Sequence, residues 1–287
     1  MYILESNQNI EEICEIYDII NYSINSDNSI DVEGDVNLSN MGHKELPLNF
    51  NKVYGDFHCG YNQLTSLEGS PKWVGEDFNC TNNLLTDLKG GPEYVGVDLY
   101  VTRNSLTSLE GSPEKVSGHF SCQYNDKLLS LKGGPKEVIG NYHCQEINLT
   151  SLEGSPEKVG GTFNCYKNKL TSLKGSPEYI GLDFNCSMNK LTSLEGCPKF
   201  VGENIYCYGN FLRDLKEFPE LFNGFISCGG QPLGSLFNEV DIEFLRAFKS
   251  FRVIKDDVVN LKRLKYLSEM FNEPININKI NKYYKIK

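Results

Sequence analysis

Apolar and polar residues follow a pattern that repeats every 21 residues through most of the chain. Each unit holds an apolar–polar–apolar triplet such as Phe78-Asn79-Cys80, in which the outer two side chains share one face of a short strand. Paired leucines, a Gly-x-Pro turn and a valine complete the unit. Because proline fixes φ and removes a donor, the return segment should be extended rather than helical. Self-similarity at this period predicts a stacked array of about ten rungs.

Cysteine fills the third position of the triplet in eight units. These residues are Cys59, Cys80, Cys122, Cys144, Cys165, Cys186, Cys207 and Cys228. Val101 and Leu38 hold the same position elsewhere, and a position that accepts cysteine, valine or leucine is apolar. Zinc motifs need paired ligands about two to four residues apart, and the sequence has none. We therefore predict core packing, free thiols in a reducing intracellular setting, no metal and no cofactor.

Two further columns have predicted structural roles. Three residues after the cysteine position stand asparagines, whose amides satisfy the backbone where each strand turns away. They are Asn62, Asn83, Asn104, Asn125, Asn168, Asn189 and Asn210, with Ile147 in one unit. Acid and base alternate after the second leucine, through Glu68, Lys89, Glu110, Lys132, Glu153, Lys174, Glu195 and Lys216. Stacking would place each acid between two bases, which disfavours misregistered pairing.

Charge is unevenly distributed over the 287 residues, whose net charge is −10. Residues 246–287 hold 11 Lys/Arg and 4 Asp/Glu, a net of +7, which leaves −17 for residues 1–245. An acidic array argues against direct nucleic-acid binding by the repeats. The sequence shows no long apolar run and no secretory signal, so we expect no membrane association and a cytoplasmic location.

The two ends of an array expose its core unless they are capped. Apolar residues at helical spacing within residues 9–23 predict an N-terminal capping helix, with Cys14 on or near its buried side. Asp241 and Asn260 begin two further helical patterns near the C-terminus. We divide the chain into an N-terminal helical cap (1–30), a solenoid (31–233) and a basic C-terminal helical cap (234–287).

The combination Phe-x-Cys-x-x-Asn-x-Leu-x-x-Leu resembles the leucine-rich repeat signature, with cysteine at a leucine position. The short unit is similar to the 20–21-residue class of bacterial effectors, and residues 149–161 and 32–40 resemble repeat proteins of bacteriophages and large DNA viruses. The resemblance implies an α/β repeat solenoid: a curved array with a parallel β ladder, an irregular or extended convex side and helical caps at both ends. It also implies a role in an infected cell's cytoplasm, in host takeover or counter-defence.

The predicted concave face is the candidate binding surface, since solenoids of this kind usually bind protein partners there. Outward-facing aromatic and polar side chains along the ladder are the candidate anchors. They are His58, Tyr61, Asn79, Tyr100, Arg103, Tyr124, His143, Tyr166, Asn185, Tyr206 and Tyr208. Tyrosine is also a common strand residue, so a purely structural interpretation stays open.

An acidic ladder lies just before the inward aromatic position. Its members are Asp35, Asp56, Asp77, Asp98 and Asp183. Four of them fall on consecutive rungs about 5 Å apart, where repulsion favours a cation or a partner's Lys or Arg. Alternatively, these carboxylates bond the backbone at the strand entry.

Groups suited to catalysis are scattered along the sequence. His58 and His143 lie four rungs apart, on the order of 20 Å, and Cys197 at a turn has no neighbouring base. We predict a non-enzymatic protein-binding protein. Two alternatives stay open: an acidic nucleic-acid mimic that inhibits a host nucleic-acid-binding protein, and a structural virion component. The oligomeric state is left open.

Overall fold

A computed structural model of the protein describes residues 9–213, 217, 219, 221–237, 239–255 and 257–287. These residues form a β-solenoid of about nine turns, in which each turn contributes one strand to each of two parallel sheets. We call them the ladder sheet, which contains the predicted triplets, and the return sheet. Lys216, the last member of the alternating charge column, lies outside the described residues.

The ladder sheet confirms the predicted parallel ladder of about ten rungs. Its parallel strands are Val36–Asn37, Phe57–His58, Phe78–Asn79, Leu99–Tyr100, Phe120–Ser121, Tyr142–His143, Phe163–Asn164, Phe184–Asn185, Ile205–Tyr206 and Phe225–Ser227. An antiparallel strand, Glu239–Asp241, pairs with the last of them. Equivalent residues of successive units face each other, as Phe57 and Phe78 do, so the repeat fixes the register.

The return side is more regular than predicted, because it forms a second parallel sheet. Its strands are Ile30–Val32, Phe50–Val53, Trp73–Val74, Tyr94–Val95, Lys115–Val116, Glu137–Val138, Lys158–Val159, Tyr179–Ile180, Phe200–Val201 and Leu221–Phe222. The last residue of each strand, usually valine, is buried in the core, and a glycine often follows it. A Cβ on Gly96 would lie 1.8 Å from the carbonyl oxygen of Gly75, so glycine is required at this turn.

The core lies between the two sheets and contains the inward columns. Phe78, Cys80, Leu85 and Val95 all have 0% exposed surface. The cysteines are free, and those of the repeat column are buried, as predicted. Several donate a weak hydrogen bond to the next rung, such as Cys144 Sγ to the carbonyl oxygen of Asn164 at 3.3 Å.

The asparagine column forms the predicted hydrogen-bond ladder. Asn83 Nδ2 donates to the carbonyl oxygens of Cys59 (3.0 Å) and Cys80 (3.1 Å), while its Oδ1 accepts the N–H of Leu64 at 2.9 Å. Each amide thus bridges two successive turns at the point where the chain leaves the sheet. Gln231 continues the column on the last rung and donates to the carbonyl oxygen of Cys207 at 2.9 Å.

The single 22-residue unit keeps the ladder in register, with Phe120 opposite Tyr142. The extra residue therefore lies in the turn that follows Asn125 rather than as a bulge within a strand. Ile147 replaces the asparagine of its rung and is fully buried, and Asn148 Nδ2 reaches back to the carbonyl oxygen of Asp126 at 3.2 Å. The displaced asparagine thus bonds the inserted turn.

The N-terminal helix is shorter than predicted. Helix α1 spans Ile10–Ile16 and buries Ile13 and Cys14, but it ends before Asp18, whose φ of 55° is left-handed. An antiparallel strand, Tyr22–Ile24, follows and pairs with Ile30–Val32 at the edge of the return sheet. The predicted helical cap is therefore a short helix and a hairpin; its capping role stays a prediction.

The C-terminal residues combine helices with a small sheet. Helix α2 spans Ile242–Ser250, α3 spans Leu261–Phe271 and α4 spans Ile277–Asn281, after a short 3₁₀ turn at Leu233–Ser235. Asp241 and Asn260 accept N–H groups as the N-caps of α2 and α3, which confirms both predicted helix starts. The strands Ile254–Lys255, Val258–Val259 and Lys285–Ile286 form a third sheet that the sequence did not predict.

The alternating charge column forms discrete ion pairs. Nζ of Lys89 lies 2.9 Å from Glu110, Lys132 pairs with Glu153 at 3.0 Å, and Lys174 pairs with Glu195 at 2.6 Å. The prediction that every acid meets a base on both sides is thus too strong, because among the described residues each of these lysines pairs with the acid of the next rung.

Candidate partner-binding face

The outward side chains of the ladder sheet form the candidate face, which we call the ladder face. Its strands are only two or three residues long, so each strand presents one outward side chain. These side chains form a middle column, with a border on each side where the strands begin and end. The acidic ladder forms the border where the strands begin. The positions two residues after the cysteine column form the border where the strands end. The predicted anchors are therefore distributed over a middle column and a turn border.

Several predicted anchors of the middle column already bond their own chain. Oδ1 of Asn79 accepts the N–H of Thr81 at 3.0 Å, and Oδ1 of Asn185 accepts the N–H of Ser187 at 3.1 Å. Such bonds to the residue two positions on close local turns. These asparagines thus stabilise their own turns, although the sequence had indicated them as anchors for a partner.

Tyrosine and histidine of the same column contact the acidic border. The hydroxyl of Tyr100 donates to Oδ2 of Asp98 at 2.5 Å, and burial together with this carboxylate raises the Tyr100 pKa. Nε2 of His58 lies 3.4 Å from Oδ2 of Asp56. Further along, the Tyr206 ring meets Phe225 edge-on at 5.7 Å. These side chains are half-buried and held in place by neighbours.

His143 lies in the middle column without an intrachain bond at one nitrogen. Its Nδ1 is buried and has no hydrogen-bond partner among the described residues. Burial, with a smaller contribution from nearby His119, lowers the pKa of His143 below its ordinary value. The lowered pKa favours the neutral imidazole, and one of its nitrogens is buried without a hydrogen-bond partner among the described residues.

The border where the strands end has left-handed backbone on every rung. Tyr61, Arg103 and Tyr124 belong to this column, with φ values of 55°, 52° and 57°. The remaining members are Asn40, Asn82, Glu146, Lys167, Met188, Gly209 and Gly230. Left-handed backbone suits glycine and asparagine, whereas other L-residues lose about 1–2 kcal/mol there. The sequence pattern gave no sign of this strain, because the column has no fixed residue type.

Arg103 and Tyr124 form a contact between successive rungs of this border. The Arg103 guanidinium carbon lies 4.7 Å from the centre of the Tyr124 ring, a cation–π geometry. Tyr61 and Tyr124 remain 57% and 43% exposed. Tyr166 and Tyr208, one residue nearer the strands, have ring centres 6.4 Å apart. The exposed aromatic and guanidinium groups thus lie at the turn border rather than in the middle of the face.

The aspartates of the acidic border accept backbone hydrogen bonds through Oδ1. This confirms, for that oxygen, the alternative prediction that these carboxylates bond the backbone at the strand entry. Oδ1 of Asp35, Asp56 and Asp77 accepts the N–H of the aspartate one rung on, each at 2.9 Å. Asp183 does the same for Asn204 at 3.0 Å. Where aspartate is absent, His119 Nδ1 accepts the N–H of Asn141 at 2.8 Å. The column is thus a hydrogen-bond ladder in which each side chain must accept an N–H but need not be charged.

The second oxygens leave this border acidic toward solvent. Burial raises the pKa of Asp77, and the flanking Asp56 and Asp98 raise it further, while the backbone bond from Asp98 acts in the opposite direction. A cationic group of a partner would relieve this repulsion.

The described residues do not bring together a candidate metal site. No group of three or more His, Cys, Asp and Glu side chains among them is placed to hold a metal ion. Cys197 is half-buried rather than exposed, and burial raises its pKa well above the ordinary thiol value, which disfavours a nucleophilic thiolate. None of the described helices is long and apolar enough to cross a membrane.

The return sheet has an outward column that the sequence analysis missed. Trp73 stacks on Tyr94 with ring centres 5.5 Å apart, and Tyr179 stacks on Phe200 at 4.7 Å. Tyr94 and Tyr179 are 44% and 41% exposed. The alternation Trp-Val, Tyr-Val and Phe-Val before each glycine is the signal that would have predicted a second sheet with an outward face.

Comparison with known proteins adds no relative. Neither a scan against protein-family models nor a search of the curated proteins found a match for this chain. The functional interpretation therefore depends on the geometry of the ladder face and on the charge distribution.

Proposed function

We propose that this chain is a non-enzymatic binding protein that holds a protein partner on the ladder face. The left-handed border carries the proposal. On six of its ten rungs the residue is one that this backbone disfavours: Tyr61, Arg103, Tyr124, Glu146, Lys167 and Met188. Asn40, Asn82, Gly209 and Gly230 show that the fold accepts the favoured residues at the same place. A strained position that retains long, exposed side chains is typical of a surface selected for binding.

The chemistry of the face indicates the kind of partner. Tyr61, Arg103 and Tyr124 offer exposed aromatic and guanidinium surface, which is favoured in protein interfaces. The acidic border lies across the same rungs, where a Lys or Arg of the partner would find unneutralised carboxylate oxygens. We therefore propose a partner segment that combines apolar side chains with basic ones.

Site-specific photo-cross-linking in the native cell tests this proposal. A photoreactive amino acid replaces Tyr61 or Tyr124 in the test proteins, and Tyr94 or Tyr179 of the return sheet in the matched controls. Because all four tyrosines are exposed to a similar degree, equal capture from both sheets would contradict the proposal. We expect one defined cross-linked protein from positions 61 and 124 only.

Substitution to the residue that the backbone favours separates binding from folding. In the double variant Arg103→Asn/Tyr124→Asn the fold should be retained, since Asn82 occupies the same conformation one rung before Arg103. We expect the free energy of unfolding to rise by up to about 1 kcal/mol per site while capture of the partner is lost. A variant that unfolds, or that still captures the partner, would contradict the proposed role of this border.

The finer family assignment is part of the same proposal. The amino-acid sequence of the repeats supports a leucine-rich repeat array of viral or phage type, which acts inside an infected cell in host takeover or counter-defence. The acidic N-terminal rungs support a second candidate, a nucleic-acid mimic, because residues 1–98 contain 17 acidic and 4 basic residues, a net of −13. Competition with nucleic acid that weakens steeply with salt would favour the mimic over a partner held by aromatic anchors.

A further inference from the structure

Charge changes sign along the chain. Residues 1–98 have a net charge of −13; residues 99–245, with 17 acidic and 13 basic residues, have −4; and residues 246–287 have +7. The last segment contains α3, α4, the third sheet and most of α2. The basic charge is therefore concentrated in one folded unit, which we call the C-terminal unit (residues 246–287).

The lysines of the solenoid and of the C-terminal unit differ in their partners. Seven solenoid lysines form ion pairs with a carboxylate one rung away: Lys89, Lys115, Lys132, Lys136, Lys167, Lys174 and Lys199. In the C-terminal unit, none of the 11 Lys and Arg side chains forms an ion pair with a described residue. Asp257 pairs instead with Arg213 of the solenoid at 3.5 Å. Among the described residues, the cations of this unit thus have no carboxylate partner.

Strand pairing places two of these lysines on one face. Lys255 and Lys285 both lie opposite Val258, one on each side, so the three side chains share the outer face of the third sheet. Ile254, Val259 and Ile286 take the other face, where Val259 is fully buried. Both lysines are exposed.

Segments that adjoin this sheet contain further cations. Nη1 of Arg263 donates to the backbone carbonyl oxygen of Arg252 at 3.3 Å, so the Arg263 guanidinium lies beside the chain that leads into the first strand of this sheet. The carbonyl oxygen of Lys287 accepts the N–H of Leu261 at 2.9 Å, so the C-terminal lysine lies beside the start of α3. Nζ of Lys282 lies 5.3 Å from the centre of the Tyr283 ring.

We propose that this basic face, formed by Lys255 and Lys285 of the third sheet with Arg252, Arg263, Lys282 and Lys287 in the adjoining segments, binds the phosphate backbone of a nucleic acid. Clustered cations with an aromatic ring among them are the electrostatic footprint of such a site. The expectation that nucleic acid is not bound came from the acidic repeats. Because the repeats repel phosphates, they would confine a strand to the C-terminal unit.

Fluorescence anisotropy with a short labelled single strand and the corresponding duplex tests the proposal on the full chain. We expect binding at low salt that weakens between about 50 and 200 mM salt, by about 100-fold for the single strand and about 500-fold for the duplex, as expected for about five phosphate contacts. The variant Lys255→Glu/Lys285→Glu should lose at least about tenfold in affinity. The matched control is Lys169→Glu/Lys190→Glu, which makes the same charge change at two exposed solenoid lysines without ion pairs to described residues. It should bind nearly as well as the unmodified chain.

Four outcomes would overturn the proposal. Three concern the oligonucleotides: absence of binding at low salt, equal loss in both variants, and binding that salt does not weaken. A fourth is self-association of the unlabelled protein, measured by sedimentation velocity, that disappears in the Lys255→Glu/Lys285→Glu variant while oligonucleotides do not bind. That result would assign the basic face to the acidic rungs of a second copy. Circular dichroism of both variants confirms that each remains folded.

Discussion

The inward and outward columns of the ladder sheet differ in how much they vary. Inward positions repeat phenylalanine, cysteine, asparagine and leucine almost unchanged, because each side chain packs against its own equivalent one rung away. The outward positions change from rung to rung, through His58, Asn79 and Tyr100. Contact with an equivalent neighbour therefore fixes the residue type, whereas outward side chains that bond only their own turn or the acidic border can vary from rung to rung. The predictions below test this contrast.

The largest expected effect comes from removing one rung of the asparagine ladder. Asn125 Nδ2 donates to the carbonyl oxygens of Cys122 and Val101, and its Oδ1 accepts the N–H of Leu106 at 3.1 Å. Asn125→Leu would leave these buried backbone groups unpaired, which should lower the free energy of unfolding by about 2–4 kcal/mol. Urea unfolding measures the change.

The natural exception in the same column provides the control. Ile147 is already apolar, so Ile147→Leu keeps volume and chemistry and should cost less than about 1.5 kcal/mol. If Asn125→Leu were as mild as this control, the ladder would not stabilise the stack as we argue.

Tyr142 breaks the inward pattern and should respond in the opposite direction. It occupies the aromatic column between Phe120 and Phe163, and its buried hydroxyl has no hydrogen-bond partner among the described residues. Tyr142→Phe removes an unpaired polar group, so we expect a gain of about 1–2 kcal/mol in thermal or urea unfolding. The reverse change in the same column, Phe163→Tyr, should destabilise; a loss of stability in Tyr142→Phe would show that the hydroxyl is satisfied.

His143 sharpens the contrast through pH. Because burial lowers its pKa, the stability that it contributes is complete above the ordinary histidine pKa and is lost as the pH falls through the lowered value. His143→Asn introduces the residue that Asn164 and Asn185 provide at the same position. We expect a smaller fall in melting temperature between about pH 7.5 and 5 than in the unmodified chain. His43, whose pKa is also lowered by burial, retains its own contribution, so parallel curves for the two proteins would contradict only the role of His143.

The fold was predictable to the extent that it repeats. The period, the inward columns and the asparagine bonds follow from side chains that meet their own equivalents, as Phe57 meets Phe78. The return sheet was missed because proline in each turn predicted only an irregular or extended segment, although Val74 and Val95 mark a second inward column. The N-terminal helix was overextended because periodicity does not detect a left-handed residue such as Asp18.

The candidate site was less predictable than the fold. Sequence spacing placed the outward residues on one side of the ladder, but it did not distinguish Asn79, which bonds its own turn, from Tyr61, which remains exposed. Local backbone conformation decides this difference, and it is not visible in residue type when the column varies. The role of the acidic ladder was also ambiguous from sequence. An aspartate can accept the next N–H or offer its charge to a partner, and the residue type does not distinguish these two roles.

The alternating charge column should give the smallest effect. Lys89 and Glu110 pair at 2.9 Å but are 66% and 60% exposed, and such pairs contribute about 0.2–1 kcal/mol that salt screens. A double-mutant cycle with Lys89→Ala and Glu110→Ala should therefore give a coupling below about 1 kcal/mol at low salt, and near zero at high salt. Swapping the two charges should reduce the net gain, because each new charge would then lie one rung from a like charge, at Glu68 or at Lys132. A coupling that survives high salt would mean that this exposed column stabilises the stack as directly as the buried ones do.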